Sequence, residues 1–306
     1  MDFSGDASSN ISYRSSDMSL TLTYTIKPEE HGTSILNFLK KQEISKKAIV
    51  ATKHRGGDLQ VNGEHQTVRY VLQTNDELKI IFPPEERSAG LASYELPLDI
   101  IFEDDYLLVV NKPAGIPTIP SIRHPYETLA NALVHYYNQE KIESTIHFVN
   151  RLDRDTSGLL VVAKYRHIHH LMTKDVKQIK RKYYTLVKGH LTTSGTVEAP
   201  IGRLQEGNVK RGVREDGDHA VTHYRVIERQ GENTLIECEL ETGRTHQIRV
   251  HMDYLGHPLI GDTLYDDQAL ILEDGHLLHS YYVSFIHPIT KETYEFQTDL
   301  PKRFSI

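Results

Sequence analysis

The segment 150–158, NRLDRDTSG, places two arginines and two carboxylates within five positions, immediately before the apolar run LLVVA. A carboxylate in such a loop can act as a nucleophile or can stabilise a developing positive charge. The segment also has a purely structural interpretation, in which Asp153 and Asp155 are surface acids neutralised by Arg151 and Arg154. Taken alone, the segment leaves both interpretations open.

A second segment of similar character lies far along the chain at 242–251, TGRTHQIRVH. Thr242 and Gly243 are typical of a helix start, and the apolar residues that follow at helical spacing form one stripe, namely Ile248, Met252 and Leu255. Arg249 falls beside this stripe. An arginine at the edge of an apolar face either extends to water or occupies a partly buried site where it needs a carboxylate. In the second case, Asp153 would be its partner.

Histidines offer a rival chemistry, because the imidazole ring is a common metal ligand. His167, His169 and His170 occur together in HIHH, and His246 and His251 lie on either side of Arg249. Adjacent histidines face apart on a helix, the HExxH pattern is absent, and 18 histidines make chance clusters common. The phosphate-binding patterns GxxxxGK[ST] and GxGxxG are also absent. We therefore expect no metal site and no nucleotide-phosphate loop.

Charge is segregated along the chain. The 35 Lys and Arg residues against 42 Asp and Glu residues give a net charge of −7, which by itself argues against a polyanionic partner. However, residues 40–55 contain six basic residues and one acid, and residues 164–188 contain eight basic residues and one acid. Residues 261–300 contain eight acids and one base. These runs are either ordinary solvated faces or a surface for a polyanion.

The composition is that of a globular protein rather than of a disordered or membrane-embedded one. The chain has 306 residues, enough for two domains, of which 38% are hydrophobic and 25% are charged. No stretch approaches the roughly 18 apolar residues of a membrane span. The single cysteine, Cys238, cannot form an intrachain disulfide, which fits a reducing compartment. We therefore expect a cytoplasmic protein with no membrane association.

The pattern along the chain predicts four parts. Residues 1–18 are rich in serine and are expected to form a disordered tail. Residues 19–83 contain a strand, two short helices and a closing strand, ELKIIF, and residues 84–96 have the prolines of a linker. Residues 97–306 contain the buried strands YLLVV and LLVVA, a helix near residues 127–138 and several later strands. Strands that mostly pair with neighbours, covered by a few helices, predict an α+β domain.

Four motifs resemble, in order and rough spacing, those of the RluA family of pseudouridine synthases. They are NKPAG at 111–115, RLDRDTSG at 151–158, KYYTLVKG at 182–189, and TGRTHQIRVH at 242–251 followed by GHPLIGD at 256–262. Residues 19–83 resemble the alpha-L RNA-binding module that often precedes this catalytic domain. The resemblance implies a mixed, largely antiparallel central sheet with flanking helices, a cleft across that sheet, and no cofactor.

The resemblance also implies roles for individual residues. Asp153 matches the catalytic aspartate, Arg249 the basic residue paired with it, and Tyr183 the tyrosine that packs against the target base. Arg151 matches an arginine that fills the gap left by the flipped nucleotide, and Ile248 is expected to line the same pocket. We expect further basic residues to hold the RNA backbone, namely Lys46, Lys47, Lys53, Arg55 and Lys182.

The reaction that the resemblance implies converts uridine in RNA into pseudouridine: the bond from ribose to the ring nitrogen breaks, and uracil rejoins through ring carbon five. One acid in a closed cleft suits this reaction, because water activated by a second acid would release free uracil. We therefore predict a monomeric RNA pseudouridine synthase acting by base flipping on structured RNA, either ribosomal RNA, above all that of the large subunit, or transfer RNA. The alternative is a non-catalytic RNA-binding protein in which Asp153 only stabilises its loop.

Overall fold

The structure is a computed structural model that describes residues 19–87, 90–122, 124–174 and 178–305, so the tail predicted for residues 1–18 lies outside it. The chain divides into two compact units. Of the described residues, the first contains those up to 87 together with Tyr137–Thr145, and the second contains those from 90 to 136 and from 146 onward. The boundary between the units falls within the predicted linker 84–96, and the predicted domain ranges remain predictions. In the described ranges, no helix has the length and apolar character needed to cross a bilayer.

The first unit combines two short helices with a small antiparallel sheet. The Oγ atoms of Ser34 and Ser45 each accept a backbone N–H three residues further on, at 3.4 and 3.1 Å, so these serines cap α1 (Ile35–Lys41) and α2 (Lys46–His54). A 3-10 turn covers Pro28–Glu30. The strands are β1 (Thr21–Thr25), β2 (Asp58–Val61), β3 (Glu64–His65) and β4 (Glu77–Ile81). Their order across the sheet is β1-β4-β2-β3.

The second unit is built on a large sheet. Its strands are β5 (Ile100–Glu103), β6 (Leu107–Lys112), β7 (His147–Phe148), β8 (Ser157–Ala163), β9 (Lys180–Lys188), β10 (Gly195–Glu198), β13 (Val221–Gln230), β14 (Asn233–Leu240), β15 (Leu278–Ile286) and β16 (Thr293–Gln297). A separate hairpin consists of β11 (Ile201–Arg203) and β12 (Arg211–Val213). The helices are α3 (Leu129–Gln139), whose last three residues belong to the first unit, α4 (Arg166–Thr173), α5 (Gln247–Tyr254) and a 3-10 turn at Lys302–Phe304.

The order across the large sheet is β10-β13-β14-β9-β15-β8-β6-β5, with β16 on β15 and β7 on β8. Among these described strands, the pair of β8 and β15 is parallel and the other pairs are antiparallel. The prediction of an α+β fold with a mixed, largely antiparallel central sheet is therefore confirmed. The candidate site lies at the central strands β9, β15 and β8, where the loop that precedes β8 approaches the face of β9.

Strand β8 is buried along its whole length, which is typical of a strand covered on both faces. Its parallel pairing with β15 brings Gly158 directly against Ser280. A Cβ atom at residue 158 would lie 2.2 Å from the carbonyl oxygen of Ser280, and the φ angle of +109° is also unfavourable for other residues. Glycine at this position therefore fixes the end of the preceding loop against the centre of the sheet.

Helix α5 begins later than the sequence pattern predicts. The pattern predicts a start at Thr242 and Gly243, whereas the helix starts at Gln247, after His246 in the left-handed region at φ 58°. The side chain of Gln247 explains the difference, because its Oε1 accepts the hydroxyl of Thr242 at 2.8 Å and the N–H of Arg244 at 2.9 Å. These bonds hold residues 242–246 as a loop in front of the helix.

Candidate active site

The carboxylate of Asp153 lies 2.9 Å from Nη1 of Arg249, although 96 positions separate the two residues. The loop before β8 carries Asp153, and the first turn of α5 carries Arg249. Arg249 is only 7% exposed, so it does not extend to water. The sequence left two placements open for Arg249, and the structure shows the buried one. Arg249 donates to Oδ2 of Asp153, and none of the described residues donates to Oδ1.

A second carboxylate, that of Asp262, holds the same guanidinium. Nε of Arg249 donates to Oδ2 of Asp262 at 2.7 Å and Nη2 donates to Oδ1 at 2.9 Å, which is the bidentate geometry of a strong charge-assisted pair. Asp262 is 1% exposed. The sequence reasoning assigned no role to Asp262. The sequence feature that could have identified Asp262 is its position at the end of GHPLIGD, close in sequence to Arg249, which requires a carboxylate when buried.

The pKa of Asp153 is lowered from its usual value of 3.8. Burial acts to raise this pKa, but positive charge on His246, Arg249 and His276 and the hydrogen bond from Arg249 outweigh it. Arg249 is the constant partner, because burial lowers the pKa of His246 and lowers that of His276 to about 4. Burial also acts to lower the pKa of Arg249, but its bonds to Asp262 and Asp153 raise the pKa overall. Asp153 is therefore an anion at neutral pH.

His246 approaches the same carboxylate, with Nε2 at 3.8 Å from Oδ2 of Asp153. The hydroxyl of Tyr265 accepts the backbone N–H of Arg211 at 3.1 Å and lies 3.0 Å from Nδ1 of His246, so it holds the imidazole beside Asp153. The guanidinium carbon of Arg249 also lies 5.1 Å from the centre of the Tyr265 ring. The sequence reasoning did not single out Tyr265.

Tyr183 on β9 and Ile248 on α5 are both buried. Burial raises the pKa of Tyr183, with a further contribution from the charge of Asp153, and these effects outweigh the opposing ones of Arg181 and Ser280. The phenol therefore keeps its proton at neutral pH.

The loop that carries Asp153 is fastened by the NKPAG motif. Nζ of the buried Lys112 donates to three backbone carbonyls at 2.8 to 2.9 Å, those of Pro113, Ile116 and Arg154. Burial lowers the pKa of Lys112 to about 7. The hydroxyl of Thr118 donates to the carbonyl of Leu152 at 2.6 Å. The residues on both sides of Asp153, Leu152 and Arg154, are thus bonded to Thr118 and to Lys112 at the end of β6.

The structural interpretation of this loop holds for Asp155, which Arg154 neutralises, but not for Asp153. Arg154 pairs with Asp155 through Nε at 2.6 Å and Nη2 at 3.0 Å. Asp153 pairs with Arg249 and not with Arg151. Arg151 is exposed, and the described residues provide it with neither a hydrogen bond nor an ion pair. The loop therefore presents a free guanidinium two positions before its paired carboxylate.

The basic residues predicted to hold RNA occupy different places. Lys46, Lys47, Lys53 and Arg55 are exposed on α2 and at its C-terminal end, in the first unit. Lys182 follows the alternation of β9 and therefore faces away from the side of the sheet that carries its neighbour Tyr183. Its Nζ lies 3.6 Å from Oε2 of Glu239. The structure thus does not place Lys182 beside Asp153.

Two lysines of the basic run 164–188 are paired with acids from distant parts of the chain. Lys164 is buried and bonded to Glu103 at 2.7 Å, and Lys188 is bonded to Asp266 at 2.8 Å. Among the histidines considered as metal ligands, His251 is buried and bonded through both ring nitrogens. The described residues contain no group of three or more histidine, cysteine or acidic side chains that could hold a metal ion.

Comparisons with known proteins identify the class to which this site belongs. The family model described as RNA pseudouridylate synthase matches residues 106–254. The chain is 46% identical over 265 residues to YjbO of Bacillus subtilis, described as an uncharacterized RNA pseudouridine synthase, and this match covers 86% of the chain and 93% of the relative. The chain belongs to the RluA-type family of RNA pseudouridine synthases, which are isomerases.

A ribosomal large subunit pseudouridine synthase D of Vibrio parahaemolyticus is 39% identical over 261 residues, covering 80% of each chain. Among solved structures, human RNA pseudouridylate synthase domain containing 1 superposes with a TM-score of 0.52 at 26% identity, over 66% of this chain and 83% of that one. Human RNA pseudouridylate synthase domain containing 4 has a TM-score of 0.55 at 23% identity, over 67% and 90%, and shares the fold. The predictions of family, enzyme class and fold are therefore confirmed.

Proposed function

We propose that Asp153 is the catalytic carboxylate of this enzyme and that its substrate is uridine in large-subunit ribosomal RNA. The observation that carries the proposal is the 2.9 Å hydrogen bond from Arg249 to Asp153, on a guanidinium that the buried Asp262 holds with two further bonds. A carboxylate kept ionised in this way can attack the ribose carbon or stabilise positive charge on it. Oδ1 of Asp153 is the oxygen available for this step.

The reaction balances without a cofactor. The bond between ribose C1′ and uracil N1 breaks, and Asp153 meets the electron-poor C1′ as a nucleophile or as a counter-charge. The uracil turns, C5 bonds to C1′, the proton on C5 leaves to solvent, and N1 gains a proton. The single role of Asp153 is consistent with the pairing of the neighbouring Asp155 with Arg154, which directs the Asp155 carboxylate to a guanidinium rather than to water.

We assign Tyr183 and Ile248 to the walls that hold the detached uracil. Both side chains are buried, and the raised pKa of Tyr183 keeps its ring neutral. A neutral ring offers a flat apolar face on which uracil can rotate. In this role Tyr183 is a platform for the base and not a phenolate base.

The uridine reaches this pocket by base flipping, because ring atoms that stay within a stack are inaccessible to a side chain. We assign Arg151 to the gap that the flipped nucleotide leaves. Its side chain is exposed and free of partners among the described residues, so it can stack on the flanking bases without breaking an ion pair.

Further contacts to the RNA backbone come from the first unit, which we propose to be an alpha-L RNA-binding module. Its exposed basic side chains on and beside α2 are Lys46, Lys47, Lys53 and Arg55. Lys182 is a further proposed backbone contact. The name of the Vibrio parahaemolyticus relative supports ribosomal RNA as the substrate. We propose that the enzyme acts on it in the cytoplasm as a monomer.

The proposal is tested by tritium release from RNA labelled at uracil C5, prepared from cells that lack this protein. Wild type is expected to release tritium, and Asp153→Asn, which keeps the size of the side chain and removes its charge, is expected to release none above background. Asp155→Asn is the matched control, because it makes the same change two positions away and is expected to retain activity. Equal release by wild type and Asp153→Asn would exclude Asp153 as the catalytic group.

The RNA itself is identified by mapping pseudouridine in total RNA from cells with and without the protein. Sites lost from large-subunit ribosomal RNA are expected. Loss confined to transfer RNA would contradict the proposed substrate while leaving the role of Asp153 intact.

A further inference from the structure

Arg181 is a second buried guanidinium in the unit that contains the candidate active site. It lies on β9 two positions before Tyr183, so the two side chains point to the same face of the sheet. Its guanidinium approaches the loop in front of α5, where a Cβ atom added to Gly243 would lie 3.0 Å from Nη1. Arg181 therefore sits between the strand that carries Tyr183 and the loop that ends at His246.

This guanidinium lacks a counter-charge. Within the described ranges, Nε and Nη2 of Arg181 are buried without a hydrogen-bond partner, and no carboxylate forms an ion pair with the side chain. Arginine stays charged throughout the physiological pH range, and a buried charge without a partner is unfavourable. Arg249 shows the contrast, because it is exposed to the same 7% and is bonded to two carboxylates.

Given the proposed function, on which this inference rests, we propose that Arg181 binds a phosphodiester of the substrate, that of the flipped nucleotide. The phosphodiester is the anionic group of RNA, and it accepts two parallel N–H donors from a guanidinium. Binding would supply the missing counter-charge and complete the unused donors. Arg181 thus holds the backbone at the mouth of the pocket, while Asp153 and Tyr183 act on ribose and base.

The experiment measures tritium release from the C5-labelled RNA as a function of RNA and salt concentration. Arg181→Met is expected to raise KM by about 10- to 100-fold, the effect of losing a charge-assisted contact. Its kcat is expected to stay within about twofold of wild type, since bond cleavage does not use this contact. The slope of log(kcat/KM) against log[salt] is expected to become shallower by about 0.7 to 0.9, the value for one phosphate.

Arg225→Met is the matched control. Arg225 is an exposed arginine on β13, paired with Glu237 at 3.2 Å, and the register of the sheet puts it on the face opposite to Tyr183. The substitution removes the same charge, and we expect unchanged KM and unchanged salt slope. Arg181→Lys keeps the charge without the planar fork, so it is expected to retain the salt slope while KM rises several-fold.

Thermal melting of each variant separates a binding effect from a folding effect. If Arg181→Met does not fold, Arg181→Lys decides, because a KM equal to wild type would contradict the forked contact. A fall in kcat at unchanged KM and slope would also overturn the inference, since Arg181 would then act on Tyr183 or Asp153. If wild type is active and the Arg181 variants behave like it, this inference alone is contradicted. If wild type is inactive, the proposed function is contradicted and this inference with it.

Discussion

Replacing Asp262 by asparagine tests whether the buried pair with Arg249 supports both stability and catalysis. The change keeps the size of the side chain, removes its charge, and turns one of its two acceptors toward a guanidinium N–H as a donor. Breaking a buried ion pair on one side costs about 3 to 5 kcal/mol, and we expect the lower end because one hydrogen bond survives. About 3 kcal/mol corresponds to a fall in Tm of roughly 6 to 12 °C for a domain of this size.

Activity is expected to fall as well, because Arg249 loses the Asp262 carboxylate that orients its Nη1 toward Asp153. A displacement of about 1 Å at a catalytic group lowers the rate by about 100-fold. Thermal melting and tritium release from C5-labelled RNA measure the two effects separately. Arg249 itself remains charged in this variant, so the expected loss arises from its orientation.

Asp216→Asn is the control, since Asp216 binds Arg214 in the same bidentate geometry, at 2.8 and 2.7 Å, but is exposed. An exposed pair contributes about 0 to 1 kcal/mol, so melting and activity are expected to stay close to wild type. Equal losses in both variants, or a wild-type Tm and rate in Asp262→Asn, would refute the reasoning from burial.

Three further predictions concern other parts of the molecule. Since the lowered pKa of Asp153 keeps it ionised, wild-type kcat/KM should fall only as pH drops through that pKa, below 3.8. In Arg249→Met, where burial is offset less because the charge and hydrogen bond of Arg249 are lost, the acid limb of the pH–rate profile should move to higher pH. Gly158→Ala should lower the urea midpoint strongly, because its Cβ meets the Ser280 carbonyl, while Gly90→Ala, which meets nothing within 4 Å, should not. Replacing Lys53 and Arg55 by Met should make the salt slope of RNA binding shallower by about 0.7 to 0.9 per lost phosphate contact, and an unchanged slope in filter binding would remove them from the interface.

The residue pattern identified the two segments that form the site, the run around Asp153 and the helix around Arg249. A buried arginine requires a carboxylate, so their pairing was one of two possibilities, and the resemblance to the family selected it. Helix α5 was mispositioned at its start because a side chain further along, that of Gln247, bonds back to Thr242 and the loop. Such a bond is invisible to rules that read caps from residue types alone.

The remaining features depend on contacts between distant residues. Asp262 was missed although GHPLIGD places it only 13 positions after Arg249, because the sequence also offered Asp153 as a partner and only the fold shows that Arg249 binds both. The sequence left the basic run 164–188 open between a solvated face and a surface for a polyanion, because it does not show that Lys164 and Lys188 pair with distant acids. Strand alternation also buries Arg181, which the charge count does not show.

The position of β15 limits when this enzyme can become active during its synthesis. The strand is made late, yet it lies between β9 and β8, so the large sheet cannot close until residue 286 has left the ribosome. Until then the Gly158 end of the Asp153 loop lacks the strand against which it packs. A nascent chain can therefore complete its first unit, which ends with Tyr137–Thr145, before the loop that carries Asp153 is packed against β15.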